Sequence, residues 1–271
     1  MDALNLIDGW PVDHAAAGVV AADGTVLARR GPTTEPFRLA SVTKLLSSYA
    51  VLVAVEEGAL EYATPAGPEG ASVRHLMAHT GGYDFASETV RFAPGARRLY
   101  SNTGFDALAA AVEEATGIGF AQYLAEAVFE PLGMASSALR GSAAADGVST
   151  VDDLLRFAAE LQSPTLVAPQ TLAEATSVQY PGTAGVLPGF GRQARNDWGL
   201  GFELKAEKTP HWTGSRNSPA TFGHFGQSGT FLWVDPAAGL ACVALADRDF
   251  GPWAAEAWPA LSDAVLSDVP G

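Results

Sequence analysis

Ser41-Val42-Thr43-Lys44 places a hydroxyl and an amine three residues apart. On a helix that spacing puts both side chains on one face, within reach of each other. The pattern from Val42 to Glu57, stopped by Gly58, predicts such a helix with Ser41 at its start. A helix N-terminus adds unpaired N–H groups and partial positive charge, which suit a nucleophile that becomes an acyl ester. The same residues also fit a Ser cap ahead of a solvated lysine, and S-x-x-K is short enough to arise by chance. Tyr100-Ser101-Asn102 follows Phe92-Ala-Pro-Gly95 and opens another helix. A tyrosine held near a lysine can share its proton and act as a general base, and an Asn carboxamide can hold a substrate carbonyl. Equally, Asn102 can cap that helix while Tyr100 packs. In Gly223-His224-Phe225-Gly226-Gln227 a strand start with glycines lets backbone N–H groups approach a ligand, as an oxyanion hole requires. Taken alone, His224 reads as a hydrogen-bonded structural histidine.

These segments need elements to carry them. Ala17–Ala21 and Thr25–Arg29 flank Asp23-Gly24 and predict a hairpin, and Phe37–Ala40 leads into Ser41. Helices are predicted over Gly104–Thr116, Phe120–Phe129 and Val151–Leu161, the last opened by Ser149-Thr150-Val151-Asp152-Asp153. Strand character returns in Leu200–Leu204, Thr221–Phe225, Thr230–Val234 and Leu240–Ala246, before a closing helix over Trp253–Leu266. Strands at both ends with helices between them imply an α+β fold. An antiparallel sheet is built from both chain ends with flanking helices, and a mainly helical lobe is inserted. The division expected is 1–58 with 197–271 for the sheet lobe and 59–196 for the helical lobe, together one catalytic domain.

The three chemical segments, in this order, resemble the serine β-lactamase and penicillin-binding D,D-peptidase superfamily, whose signatures run S-x-x-K, Y-x-N and K/H-x-G. His75-Leu-Met-Ala-His-Thr-Gly-Gly82, Phe92 to Asn102, Glu130-Pro-Leu-Gly-Met134 and Trp198-Gly-Leu-Gly201 are similar to further stretches of that family. The similarity covers about residues 37 to 246 and is greatest to the class C-like branch, which also holds carboxylesterases. The resemblance implies a β-lactamase/transpeptidase-like fold with Ser41 as nucleophile. Lys44 then deprotonates Ser41 or tunes Tyr100, and Tyr100 is the general base that returns a proton to the leaving group. Asn102 orients the acyl side chain, and the N–H groups of Ser41 and of Gln227, the residue after Gly226, form the oxyanion hole. His224 stands where a lysine would offer a full positive charge, and offers a weaker, pH-dependent one. The activity implied is ester or amide hydrolysis through an acyl-enzyme, β-lactams included. The alternative is a penicillin-binding or D,D-peptidase-like module that acylates with little turnover. No cofactor and no metal are expected, and a monomer or homodimer is.

Composition narrows the partners. The 271 residues carry 16 Lys+Arg against 30 Asp+Glu, a net charge of −14, which speaks against nucleic-acid and anionic-membrane surfaces. A 48% hydrophobic content with 17% charged residues fits a globular chain, and the resemblance implies a small-molecule ester, amide or β-lactam as its substrate. Met1 to Asp8 lacks a basic n-region and an apolar run, so a cytoplasmic location is expected. Cys242, in an apolar run, reads as a core residue. Three patterns mislead. Lys208-Thr209-Pro210 mimics a lysine–threonine–glycine motif but lacks an N–H at Pro210. His75 and His79 have metal-ligand spacing without the central Glu of H-E-x-x-H. Gly226-Gln-Ser-Gly-Thr230 falls one glycine short of a nucleophile elbow. Phe222, Phe225 and Phe231, beside the last motif, would suit a small hydrophobic acyl group.

Overall fold

A computed structural model describes residues 1–268. The hairpin forms where Asp23-Gly24 invites it. Gly24 takes φ +83°, a conformation that costs glycine little, and the Asp23 carboxylate accepts the Thr25 N–H at 2.9 Å. The hairpin strands are Ala15–Ala21 and Val26–Arg30. They continue into a six-stranded antiparallel sheet through Leu240–Ala246, Thr230–Asp235, Phe222–Gly226 and Glu203–Leu204. Ala15 pairs with Ala246 and Ala21 with Leu240, so early and late segments share the middle of the sheet.

Apolar residues on both faces require both faces to be covered. One face packs against the Val151–Glu160 helix. A Cβ at Gly18 would come within 2.7 Å of Leu155, so glycine lets this helix lie flush on the strand. This helix, from the 59–196 segment, lies on the strands Ala15–Ala21 and Leu240–Ala246. The other face is closed by the Ala3–Gly9 turn of 3₁₀ helix and the Pro252–Ser267 helix, around Trp212, Trp233 and Trp258. Cys242 is buried in this second core. The Thr43–Glu56 helix runs through the first core and is buried from Thr43 to Ala54, hence its apolar residues on every side. No helix among the described residues is long and apolar enough to cross a membrane.

The Asn102–Thr116 helix begins with Ser101, whose Oγ accepts the Gly104 N–H at 3.0 Å, and ends on Gly117 at φ +72°. Ser101 rather than Asn102 is therefore the cap, and Asn102 is left to bond elsewhere. Thr150 caps the next long helix through the Asp153 N–H at 3.1 Å. Leu200 and Gly201 do not join the sheet. Their N–H groups donate to the Ala175 and Met77 carbonyls at 2.7 and 3.0 Å, and a Cβ at Gly201 would strike the Ser48 hydroxyl. Only Glu203–Leu204 pairs as a strand. The short Gly185–Leu187 and Gly191–Gln193 hairpin carries too few apolar residues to be read from alternation.

Candidate active site

Ser41 sits in a 3₁₀ turn, Ala40–Val42, just before the Thr43–Glu56 helix. Ala40 has φ +43°, the left-handed region that a residue with a Cβ enters at a cost, and the turn turns Ser41 toward the cleft. Two contacts hold it there. The Leu39 N–H donates to the Gly147 carbonyl at 2.9 Å, and the Leu39 carbonyl accepts the Thr230 hydroxyl at 2.8 Å. A Cβ at Gly226 would stand 2.2 Å from the same carbonyl, so only glycine lets the Phe222–Gly226 strand close on the Ser41 turn. Gln227, next in sequence, lines one cavity with Ser41, and its carbonyl accepts the Phe250 N–H at 2.7 Å.

Lys44 lies one helical turn on and is fully buried. Its Nζ stands 3.5 Å from Ser41 Oγ, 2.6 Å from Asn102 Oδ1 and 3.0 Å from the Ala144 carbonyl, and 4.6 Å from the centre of the Tyr100 ring. Burial pulls its pKa down to about 7, with Asp106 opposing. A neutral amine has two N–H bonds, which the Asn102 and Ala144 oxygens can take, leaving its lone pair for Ser41. The Ala144 carbonyl could not be found from residue types, because any residue carries one.

Tyr100 packs against His79, 4.5 Å between ring centres, and against Trp198 at 5.9 Å. Burial raises its pKa well above the usual tyrosine value, with the Ser41 hydroxyl opposing, so the phenol keeps its proton at neutral pH. Its hydroxyl lies 3.3 Å from His224 Nε2. His224 Nδ1 donates to the Phe225 carbonyl at 2.6 Å, which leaves Nε2 as the acceptor for the Tyr100 proton. Burial, then the charge of Lys44, lowers the His224 pKa to about 3. The expectation of a pH-dependent positive charge at position 224 is thereby corrected: the imidazole is neutral and presents a lone pair.

Ser41, Tyr100, Trp198, His224, Phe225 and Gln227 line a cavity of about 140 Å³. Of the three phenylalanines named above, Phe225 reaches it, whereas Phe222 packs in the first core and Phe231 in the second. His75 and His79 go separate ways. His75 Nδ1 meets Ser72 Oγ at 2.9 Å and its ring stacks on Tyr180, whereas His79 is buried under Tyr100.

Glu203 also borders the cavity and went unnoticed in the sequence, since a single Glu in an apolar strand carries no motif. It forms a buried ion pair with Lys208, and its Oε2 meets His211 Nε2 and accepts the Trp212 indole N–H, each at 2.9 Å. Lys208, set aside above as a misleading motif, is thus committed to this cluster behind Trp198. Despite burial, the charges of Lys208 and His211 hold the Glu203 pKa down at about 2. Lys208→Met is expected to lower stability by about 3–5 kcal/mol in urea unfolding at neutral pH, since it strands a buried carboxylate. The Glu203 contribution is complete above its ordinary value of 4.5 and is lost as pH falls through about 2. The deficit of the variant should therefore shrink in acid, and a deficit constant with pH would mean lost packing alone.

The Beta-lactamase family model matches residues 3–266, nearly the whole chain, and the chain belongs to that family, with the fold of its serine hydrolases. A β-lactamase from Mycobacterium bovis is 55% identical and superposes with a TM-score of 0.97 over 98% of each chain. EstCE1, a hydrolase with promiscuous acyltransferase activity, has a TM-score of 0.78 at 18% identity over 97% of this chain and 96% of its own, a likeness of fold alone. Penicillin-binding protein 4* of Bacillus subtilis is 28% identical over 135 residues, 38% of this chain and 30% of that protein. The match thus spans under a third of that curated relative.

Proposed function

We propose that the chain is a serine hydrolase that removes small acyl groups from esters or amides through an acyl-enzyme on Ser41. The observation that carries this reading is Lys44, buried, near neutrality in pKa and 3.5 Å from Ser41 Oγ. In acylation the Ser41 proton passes to Lys44 Nζ while Oγ bonds to the substrate carbonyl carbon. The resulting oxyanion lies between the N–H groups of Ser41 and Gln227. Collapse breaks the bond to the leaving group, which receives the proton held on Lys44, directly or through Tyr100, so that Tyr100 ends protonated and Lys44 neutral. Water then attacks the acyl carbon as its proton passes to Lys44, and Ser41 Oγ leaves with that proton. Asn102 fixes Lys44 and borders the acyl side. A cavity of about 140 Å³ favours a short acyl group, being smaller than the roughly 300–1,000 Å³ of pockets for drug-sized ligands.

Intact mass is to be followed over time with a short-chain p-nitrophenyl ester and, separately, with a penicillin. Nitrophenol release with only transient acylation is expected. A stable penicillin adduct with little turnover would overturn the hydrolase reading in favour of the penicillin-binding module.

Gly226→Ala tests the oxyanion hole. The added Cβ must push the Leu39 carbonyl and the Gln227 peptide apart. Overpacking is expected to cost about 1–3 kcal/mol in thermal unfolding, and a displaced donor roughly 10²-fold in kcat. An unchanged kcat in a destabilised variant would remove the Gln227 N–H from the reaction.

A further inference from the structure

The Ser41 cavity is not closed on its outer side. Phe85, Tyr100 and Pro188 line both it and an adjoining groove of about 570 Å³. One wall is the loop carrying Phe85 and Phe92, 52% and 36% exposed, and the other is the 185–193 hairpin with Val186 at 58%. Both walls are tied down. Asn102 N–H donates to the Phe85 carbonyl at 2.7 Å and Ser101 Oγ to that of Asp84 at 2.7 Å. Across the groove Arg98 N–H donates to the Ala184 carbonyl at 3.2 Å, and a Cβ at Gly185 would be 2.7 Å from the Arg98 carbonyl.

Arg97, Arg98 and Arg192 line this groove and no Asp or Glu does, in a chain with 16 basic residues against 30 acidic ones. Among the described residues none of the three is in an ion pair. Arg97 lies over the Phe92 ring at 4.9 Å. Arg98 is 3% exposed and donates to the carbonyls of Ala78 and Gln179, while its Nε has no partner. Carbonyls satisfy donors without cancelling charge, and Asp197 acts on Arg98 only from beyond ion-pair distance. The groove therefore carries positive charge that no carboxylate cancels at ion-pair distance, whereas His224 is neutral.

We infer that the groove receives a part of the substrate that extends outward from the reacting carbonyl, an apolar arm ending in an anionic group, carboxylate or phosphate; this rests on the acyl-transfer reading of Ser41. The arm lies on Phe85, Phe92 and Val186, and its anionic end meets Arg97 and Arg192, whose planar forks suit either oxyanion.

The test uses Ser41→Ala and calorimetric titration at low salt with phenylhexanoate, phenylhexyl phosphate and neutral phenylhexanol. An anion is expected to bind about tenfold more tightly than the alcohol, and the tighter of the two names the class. Arg97→Gln with Arg192→Gln should remove the difference, and Arg97→Glu with Arg192→Glu should reverse it. Both arginines are exposed, so these variants are expected to fold. Equal binding of all three compounds, or a preference that survives the double substitution, overturns the inference. Since Ser41→Ala cannot acylate, the titration reads the groove by itself. The hydrolase reading fails separately, if the wild type forms no adduct on Ser41.

Discussion

Ser41→Ala is expected to give no covalent adduct with an acylating p-nitrophenyl ester and to lose turnover by about 10⁴-fold or more. The size of the loss follows from the chemistry assigned to the residue. Without Oγ there is nothing to form the acyl bond, and the remaining groups can only hold the substrate near water. The fold should not change, because Ser41 caps no helix and the groups its hydroxyl meets, Lys44 at 3.5 Å and Tyr100, are held by other contacts. An unfolding midpoint close to that of the wild type, together with an unlabelled mass, is the combination to look for. Labelling that persists at full stoichiometry in a folded variant would take the nucleophile away from Ser41.

The second large effect concerns the base. Burial brings the Lys44 pKa to about 7 and pushes that of Tyr100 upward. The sign follows directly: below pH 7 the amine holds a proton and cannot accept one from Ser41, and above it the lone pair is free. Acylation is therefore expected to rise with pH through about 7 and level off beyond. Lys44→Arg keeps a cation but removes the lone pair, since guanidinium does not lose its proton in this range. It should abolish the rising limb and lower kcat by about 10²–10⁴-fold, the range of general-base contributions. If the limb survives in Lys44→Arg, the base is elsewhere, with Tyr100 the next to test by substitution to Phe.

Features set by local preference were legible in the sequence. The Asp23-Gly24 turn depends on two residues' own backbone freedom, and the helix from Thr43 on its continuous run of core residues. That Ser41, Lys44, Tyr100 and Asn102 meet was anticipated through the resemblance of their segments, in this order, to the serine β-lactamase and penicillin-binding superfamily. What was illegible depends on partners distant in sequence. Ser101 and Asn102 are both competent caps, and the choice between them is made by Lys44, 58 positions away. His224 reads as a titratable cation until its burial is known. Lys208 reads as part of a misleading motif until Glu203 is found beside it. The arginine groove joins positions 97 and 192, and no window of sequence contains both.

The pairing of Ala15–Ala21 with Leu240–Ala246 sets the moment at which the catalytic cleft can exist. The Ser41 turn is translated early, but Gly226, which closes against it, ends a strand more than 180 residues later, with Gln227 next in sequence. On the ribosome the inner edge of the first hairpin waits for Leu240–Ala246 before it finds a neighbour. Such distant closure slows folding and leaves an apolar strand edge unshielded in the interval. A chain cut short before Phe222 therefore carries Ser41 and Lys44 without the strand that closes on the Ser41 turn.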